Sequence, residues 1–216
     1  MQLSTVTDNL DAYAEGFLVT LQLTAVGALG ALVLGTVLAG MRVSPVPVLR
    51  GAGLAYVETF RNFPLPVLAV LLVFGAPKVA ATRSFFFYVA LAVAIYHAAF
   101  VCEALRSGIN AVGVGQGEAA RALGLPFRQV LLLVVLPQAF RTVVPPLGNV
   151  LIALTKNTSV AATVGVADLS RRASEISTAE ADPLAALLGA ACFYLVLTLP
   201  AGLLLGRIER RTAFAR

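Results

Sequence analysis

The sequence has little charge for its length. Only 12% of the 216 residues are charged, 59% are hydrophobic, and the mean hydropathy is +0.88. A soluble domain carries about 25% charged residues, so water is a poor solvent for most of this surface. The composition predicts an integral membrane protein surrounded by lipid.

Cysteine, histidine and clustered basic charge are also scarce. Cys102 and Cys192 lie far apart in apolar stretches, which favours two packing residues over a disulfide or a metal pair. His97 is the single histidine and is expected to pack or form hydrogen bonds inside an apolar helix. The basic residues are scattered and lack interleaved aromatics, which excludes nucleic acid as an expected partner.

Five apolar segments are long enough to cross a bilayer, which takes roughly 20 residues in a helix. They are Gly16 to Gly40, Gly51 to Pro77, Ser84 to Leu105, Thr142 to Ala167 and Pro183 to Gly206. Residues 1–15 contain acids and no basic residue, so the first segment is expected to be retained as a span. We therefore predict an all-α polytopic protein, with residues 1–216 forming one membrane domain.

Basic residues between the spans indicate the orientation. Five spans place Lys78, Arg83, Arg171 and Arg172 on one side, and on the other side Arg42, Arg50, Arg106, Arg121, Arg128, Arg141, Arg207, Arg210, Arg211 and Arg216. Cytoplasmic loops carry the excess of lysine and arginine. We expect the N-terminus outside the cell, the C-terminus in the cytoplasm, and the long connection at about 109–141 in the cytoplasm.

This long connection is predicted to contain a short helix outside the membrane. Good helix formers run from Glu118 to Leu123, and Gly124 followed by Pro126 is a stop signal. The apolar run from Phe127 to Leu136 returns toward the bilayer and is expected to break at Pro137. From the residues alone, the helix either packs under the bundle or docks a partner.

The same connection resembles the signature loop of bacterial ABC importer permeases. The pattern Glu-Ala-Ala, three residues, Gly, nine residues, an aliphatic, one residue and Leu-Pro falls on Glu118, Ala119, Ala120, Gly124, Val134, Leu136 and Pro137. Val134 stands where isoleucine is usual. The resemblance implies a coupling helix that docks on a separate ATP-binding cassette subunit, with two small alanines for close approach and a glycine turn that presents the helix.

Other stretches resemble permeases for polar amino acids. They are Arg61 to Pro66, Glu103 to Ile109 and Lys156 to Ser159, and the resemblance extends from about Gly16 to about Leu205. Met41 to Val46 and Ala153 to Thr158 are most similar to permeases of actinobacterial glutamate importers. The resemblance implies a second permease subunit, identical or related, and an extracytoplasmic amino-acid-binding protein. It implies no cofactor, and no catalytic residue in this chain.

Charges inside spans mark a pathway or a neutralising pair. Glu58 with Arg61, and Glu103 with Arg106, are spaced i, i+3 and could each pair on one helix face. Lys156 could hold a substrate carboxylate with Asn157, Thr158 and Ser159, or it could neutralise Glu103 and line a polar gate. We therefore assign Arg61, Glu103, Lys156, Asn157, Thr158 and Ser159 to the translocation pathway or gate.

Two other functions were considered. An ion-coupled secondary amino-acid transporter would show matched, interrupted halves, and no internal repeat is present. An intramembrane serine protease would need a framed nucleophile, but Ser159 and His97 lack such a motif. The chain also lacks the glycine-rich ATP loop ending in Gly-Lys-Ser/Thr. The sequence thus predicts an importer permease whose energy comes from a partner subunit.

Overall fold

A computed structural model describes residues 4–78 and 83–212. This part of the chain contains helices and no strand, as predicted. Arg216, counted above among the cytoplasmic charges, lies outside the described residues. The helices are α1 (Ser4–Thr7), α2 (Leu10–Val43), α3 (Pro47–Asn62), α4 (Leu65–Val70), α5 (Phe85–Asn110), α6 (Val114–Ala122), α7 (Phe127–Gln129), α8 (Leu136–Asn157), α9 (Leu169–Ala179) and α10 (Pro183–Thr212).

Among the described residues, four helical segments are long and apolar enough to cross a membrane, and a bent pair supplies a fifth candidate. The four are Leu10–Val43, Phe85–Asn110, Phe127–Val164 and Pro183–Arg210. The predicted span from Gly51 to Pro77 is instead two helices, α3 and α4, with a bend of 103°. Phe63 precedes Pro64 and is extended, with φ −84° and ψ 134°, because a following proline disfavours the helical region.

The expected break at Pro137 is wrong, since the helix continues through this residue. Val130–Val135 forms a wide π-helical turn that leads directly into α8, and Pro137 lies in the first turn of α8. Because the helix is continuous here, the proline leaves a carbonyl of the preceding turn without its helical donor, and the wide π-helical turn just before Pro137 is the kind of local distortion that accompanies such an interruption. Beyond Asn157 the span tightens into 3₁₀ turns, Thr158–Val164, and ends at Gly165 with φ +83°.

Helices α2 and α5 run side by side in the same direction through the centre of the fold, with glycines at their contact. A Cβ added at Gly27 would lie 2.8 Å from Cγ1 of Val93, and one at Gly35 would lie 2.6 Å from Val101. Small residues let membrane helices approach closely where hydrophobic burial gives no net attraction. The two helices therefore form the rigid frame on which the other elements are placed.

The two ends of this frame carry different elements. At the end where α2, α5 and α10 begin, the amphipathic helix α9 packs through Leu169, Ala173 and Ile176 against Tyr13. This helix was not predicted from the sequence. The buried carboxylate of Asp168 caps α9 by accepting the backbone N–H of Arg171 at 2.9 Å. Burial raises the pKa of Asp168 above its ordinary value. At the opposite end, α6 and α7 connect α5 to α8.

Candidate functional site

The short helix α6 presents one polar face. Glu118 and Ala119 are exposed, whereas Ala120 is only 5% exposed. The buried side of α6 rests on the π-helical turn, since a Cβ at Gly117 would contact Val130 Cγ1 at 3.9 Å. Of the two alanines predicted to meet a partner, only Ala119 is free to do so; Ala120 holds α6 against its own chain.

A glycine turn ends α6, as the sequence predicts. Gly124 has φ +80° and donates its N–H to the Arg121 carbonyl at 2.9 Å, while Leu125 donates to the Ala120 carbonyl at 3.2 Å. These two bonds satisfy carbonyls left over at the helix end. A Cβ added at Gly124 would have no atom of the described residues within 4 Å, so the backbone angle, and not space, requires glycine there.

Three large apolar side chains surround α6 and were not singled out from the sequence. Val114 is 76% exposed, Leu123 is 83% exposed and Phe127 is 77% exposed. For Val114 and Leu123 the available signal was their position, because apolar residues at the two ends of a helix outside the spans have no lipid to contact. Large apolar side chains exposed near one short helix favour an interaction site there.

Glu103 lies in a three-residue ion cluster at the same end of the bundle. Arg106 Nη2 donates to its carboxylate at 2.8 Å, which confirms the expected pair, and Arg42 Nη1 lies 3.0 Å from Glu103 Oε1 as a second ion pair. Arg42 belongs to α2 and was missed, because a residue 61 positions away in the chain gives no spacing signal. The expected pairing of Glu103 with Lys156 is wrong; Lys156 is exposed, and no ion pair joins it to Glu103 among the described residues.

Arg61 and Glu58 lie at the bend between α3 and α4. Both are exposed, and within 4–78 and 83–212 no ion pair joins them, so the expected i, i+3 pair is not formed. The guanidinium carbon of Arg61 instead lies 5.8 Å from the centre of the Phe100 ring. An aromatic face attracts a cation at this distance, and Arg61 remains exposed beside the ring.

Phe100 also borders a groove between α5 and α8. The groove has a volume of about 190 Å³ and is lined by Tyr96, His97, Phe100, Val150, Ala153 and Asn157. His97 is 2% exposed, and its Nδ1 lies 2.9 Å from the Val93 carbonyl while its Nε2 lies 3.1 Å from Asn157 Nδ2. Since a carbonyl only accepts and the Asn157 amide N–H donates, His97 is neutral with its proton on Nδ1. The predicted hydrogen-bonding role of His97 is confirmed.

Lys156 lies in a different groove from Asn157. It faces α10 in a cleft of about 420 Å³, together with Ser159, Ala191, Tyr194, Leu195 and Thr198. Thr158 is fully buried, and its hydroxyl donates to the Thr155 carbonyl at 2.7 Å. The run 156–159 therefore divides between two grooves and the interior, because consecutive helical residues point in different directions.

The chain belongs to the family described as binding-protein-dependent transport system inner membrane component, which matches residues 31–214. It is thus a multi-pass cell-membrane protein and a transport subunit, and the secondary-transporter alternative is not favoured.

Named relatives and one solved structure cover nearly the whole chain. The glutamate transport system permease protein GluC of Corynebacterium efficiens is 41% identical, over 91% of this chain and 92% of that protein. The probable glutamine ABC transporter permease protein GlnM of Bacillus subtilis is 37% identical over 98% of each. The crystal structure of an amino acid ABC transporter with histidines superposes with a TM-score of 0.91 at 30% identity, covering 98% of this chain and 99% of that one.

Proposed function

We propose that this chain is the permease subunit of an ATP-driven importer for a polar amino acid, glutamate or a related acidic amino acid. The coupling half of the proposal rests on one observation, the exposed surface around α6. The substrate half rests on the near-complete similarity to amino-acid permeases, one of which transports glutamate by its description.

The partner at α6 is an ATP-binding cassette subunit. Glu118 offers a charge and Ala119 allows close approach, both exposed on α6, and Leu123, which follows the helix directly, offers apolar surface. Gly124 sets the turn that presents this surface, and Pro137 begins the long helix that returns from it. Closure of a pair of ATP-binding subunits then moves α6 and the spans attached to it. ATP hydrolysis takes place on that partner.

The α6 end of the bundle faces the cytoplasm in this proposal. Arg121, Arg128 and Arg141 belong to this end, as do Arg42 and Arg106, and arginine is enriched on the cytoplasmic side. The N-terminus and α9 then lie outside the cell, where an extracytoplasmic binding protein delivers the amino acid. The C-terminus lies in the cytoplasm.

A second permease subunit, either another copy or a related chain, completes the pathway. Asn149 and Lys156 are exposed on α8, and Arg61 and Asn62 are exposed at the bend between α3 and α4. Exposed polar groups within spans face a water-filled cavity or another subunit, since contact with lipid is costly. Two permeases that meet along these surfaces would enclose a polar channel.

The groove beside Phe100 is the proposed route of the substrate. Arg61 supplies a cation at one border, and Asn157 and the neutral His97 supply a polar wall. A carboxylate would find a bidentate donor in the guanidinium. Lys156 and Ser159 line the separate groove toward α10 as a gate. Thr158 stabilises the start of the 3₁₀ turns through its bond to the Thr155 carbonyl. Glu103 contributes through its ion cluster at the end of the bundle that carries α6.

Reconstitution into liposomes with an ATP-binding subunit and a binding protein tests this function. Uptake of labelled L-glutamate should require ATP and should be competed by L-glutamine more weakly than by L-aspartate. Lys156→Ala should lower uptake without preventing assembly. Uptake driven by a sodium or proton gradient without ATP would overturn the proposal, and kinetics unchanged by Lys156→Ala would remove this residue from the pathway.

A further inference from the structure

Glu103 holds together two helices that are distant in sequence. Its carboxylate receives Arg106 from its own helix and Arg42 from the last turn of α2. The side chains of Arg42 and Glu103 are only 14% and 21% exposed. A partly buried ion pair is screened less by salt than a surface pair, and removing one partner leaves an uncompensated charge. The three residues, named here the Glu103 clamp, fix the inner ends of α2 and α5.

Arg42 brings a third helix into the clamp. Its Cγ and Cδ pass over Gly53 of α3, where an added Cβ would lie 3.2 Å from both atoms. Gly53 is buried, so a larger side chain there would displace the Arg42 stem. The contact of α2 with α3 therefore includes the same Arg42 side chain that pairs with Glu103.

The last turns of α5 beyond Glu103 meet α8. Gly108 packs directly against Val143, and the Thr142 hydroxyl donates to the Gly108 carbonyl at 2.9 Å. The segment that carries α6 leaves α5 at Asn110 and returns to α8 at Leu136. Both attachments of this segment thus lie next to the contact of Gly108 with α8, a few residues from the clamp.

We infer that Glu103 is a positioning residue for energy coupling: its clamp makes the inner ends of α2, α3, α5 and α8 move as one body with α6. The inference rests on the proposed function and deepens it. A displacement of α6 moves the spans only if the ends of α5 and α8, to which the α6 segment is joined, do not move separately from the rest of the bundle. With the clamp broken, α2 and α3 no longer follow α5, and part of the displacement is lost as local motion at the end of α5.

This role differs from the gate expected for Glu103 from the sequence. A gate residue faces the permeating solute, whereas both oxygens of the Glu103 carboxylate are already engaged by arginines. A gating acid could not be exchanged with its arginine partner without changing the pathway. An ion cluster that only joins helices tolerates such an exchange, because an oppositely charged pair still links positions 42 and 103 and the net charge of the three residues is unchanged.

The test compares uptake per ATP hydrolysed in proteoliposomes that contain the permease, an ATP-binding subunit and a binding protein, with labelled L-glutamate as the solute. Glu103→Gln should retain ATP hydrolysis and lose about tenfold in uptake per ATP, within the usual range of coupling between sites. The exchanged pair Arg42→Glu with Glu103→Arg keeps two arginines and one glutamate, and should restore most of the ratio. Glu58→Gln is the matched control, since Glu58 is an exposed acid on α3.

Each outcome has a distinct meaning. An unchanged ratio in Glu103→Gln overturns the clamp, and so does a lost ratio that the exchanged pair leaves unrestored. If Glu103→Gln fails to assemble, the variant with the exchanged pair decides alone. A near-normal uptake per ATP in that variant supports the clamp, and a low uptake per ATP in an assembled complex contradicts it. Failure of the unaltered permease to couple ATP to uptake would instead contradict the proposed function.

Discussion

Gly124 shows how one residue type fixes the shape of a docking surface. Its φ of +80° and its open surroundings mean that only the backbone restricts the choice of residue. This turn was predictable from the order of Gly124 and Pro126 after a run of helix formers. The pairing of Glu103 with Arg42 of α2 could not be predicted, because a contact between helices distant in sequence leaves no periodic pattern in either segment.

The effect of replacing Gly124 should depend on how readily the new residue adopts the positive φ of this turn. Gly124→Val should cost about 1–3 kcal/mol in the folded turn and reduce ATP hydrolysis stimulated by the loaded binding protein. Gly124→Asn is the matched control, because asparagine tolerates the left-handed region, and it should retain most of the stimulation. Equal activity of the two variants in ATPase assays would show that the turn does not need this conformation.

At the scale of elements, close packing and proline decide the shape of the bundle. The five apolar segments were readable from the sequence because lipid demands long apolar runs. The 103° bend between α3 and α4 was hinted at by Pro64 and Pro66, but its size depends on how α3 packs on α5. Helix α9 was overlooked because its short amphipathic pattern, Leu169, Ala173 and Ile176, is buried by contacts with α2 and α10 that no local window contains.

The contact of α2 with α5 predicts that two glycines of α2 differ strongly in how much stability is lost when each is replaced. Gly35→Leu should destabilise the fold by about 1–3 kcal/mol, because even a Cβ at this position would lie 2.6 Å from Val101 and 2.9 Å from the Ala98 carbonyl. Gly40→Leu should have little effect, since nothing lies within 4 Å of a Cβ there. Thermal unfolding in detergent measures both, and similar melting temperatures for the two variants would contradict the packing.

On the scale of the whole molecule, the chain exposes apolar side chains outside the spans and polar side chains within them, which is unfavourable for a single chain surrounded by lipid and water. Apolar residues surround α6 outside the spans, while Arg61, Asn149 and Lys156 are exposed within them. Both patterns are explained by partners: an ATP-binding subunit on α6 and a second permease along α8 and the bend. Membrane insertion followed from composition alone, whereas these surfaces required the fold, since exposure is a property of the packed bundle.

The central claim is that α6 transmits the work of an ATP-binding subunit, and stimulated ATP hydrolysis in the reconstituted complex tests it most directly. The permease should bind the ATP-binding subunit and raise its hydrolysis when the loaded binding protein is added. Glu118→Lys and Leu123→Asp should each abolish this stimulation while leaving membrane insertion intact, because both alter the exposed docking surface. Stimulation at the unaltered rate in both variants would contradict the role of α6.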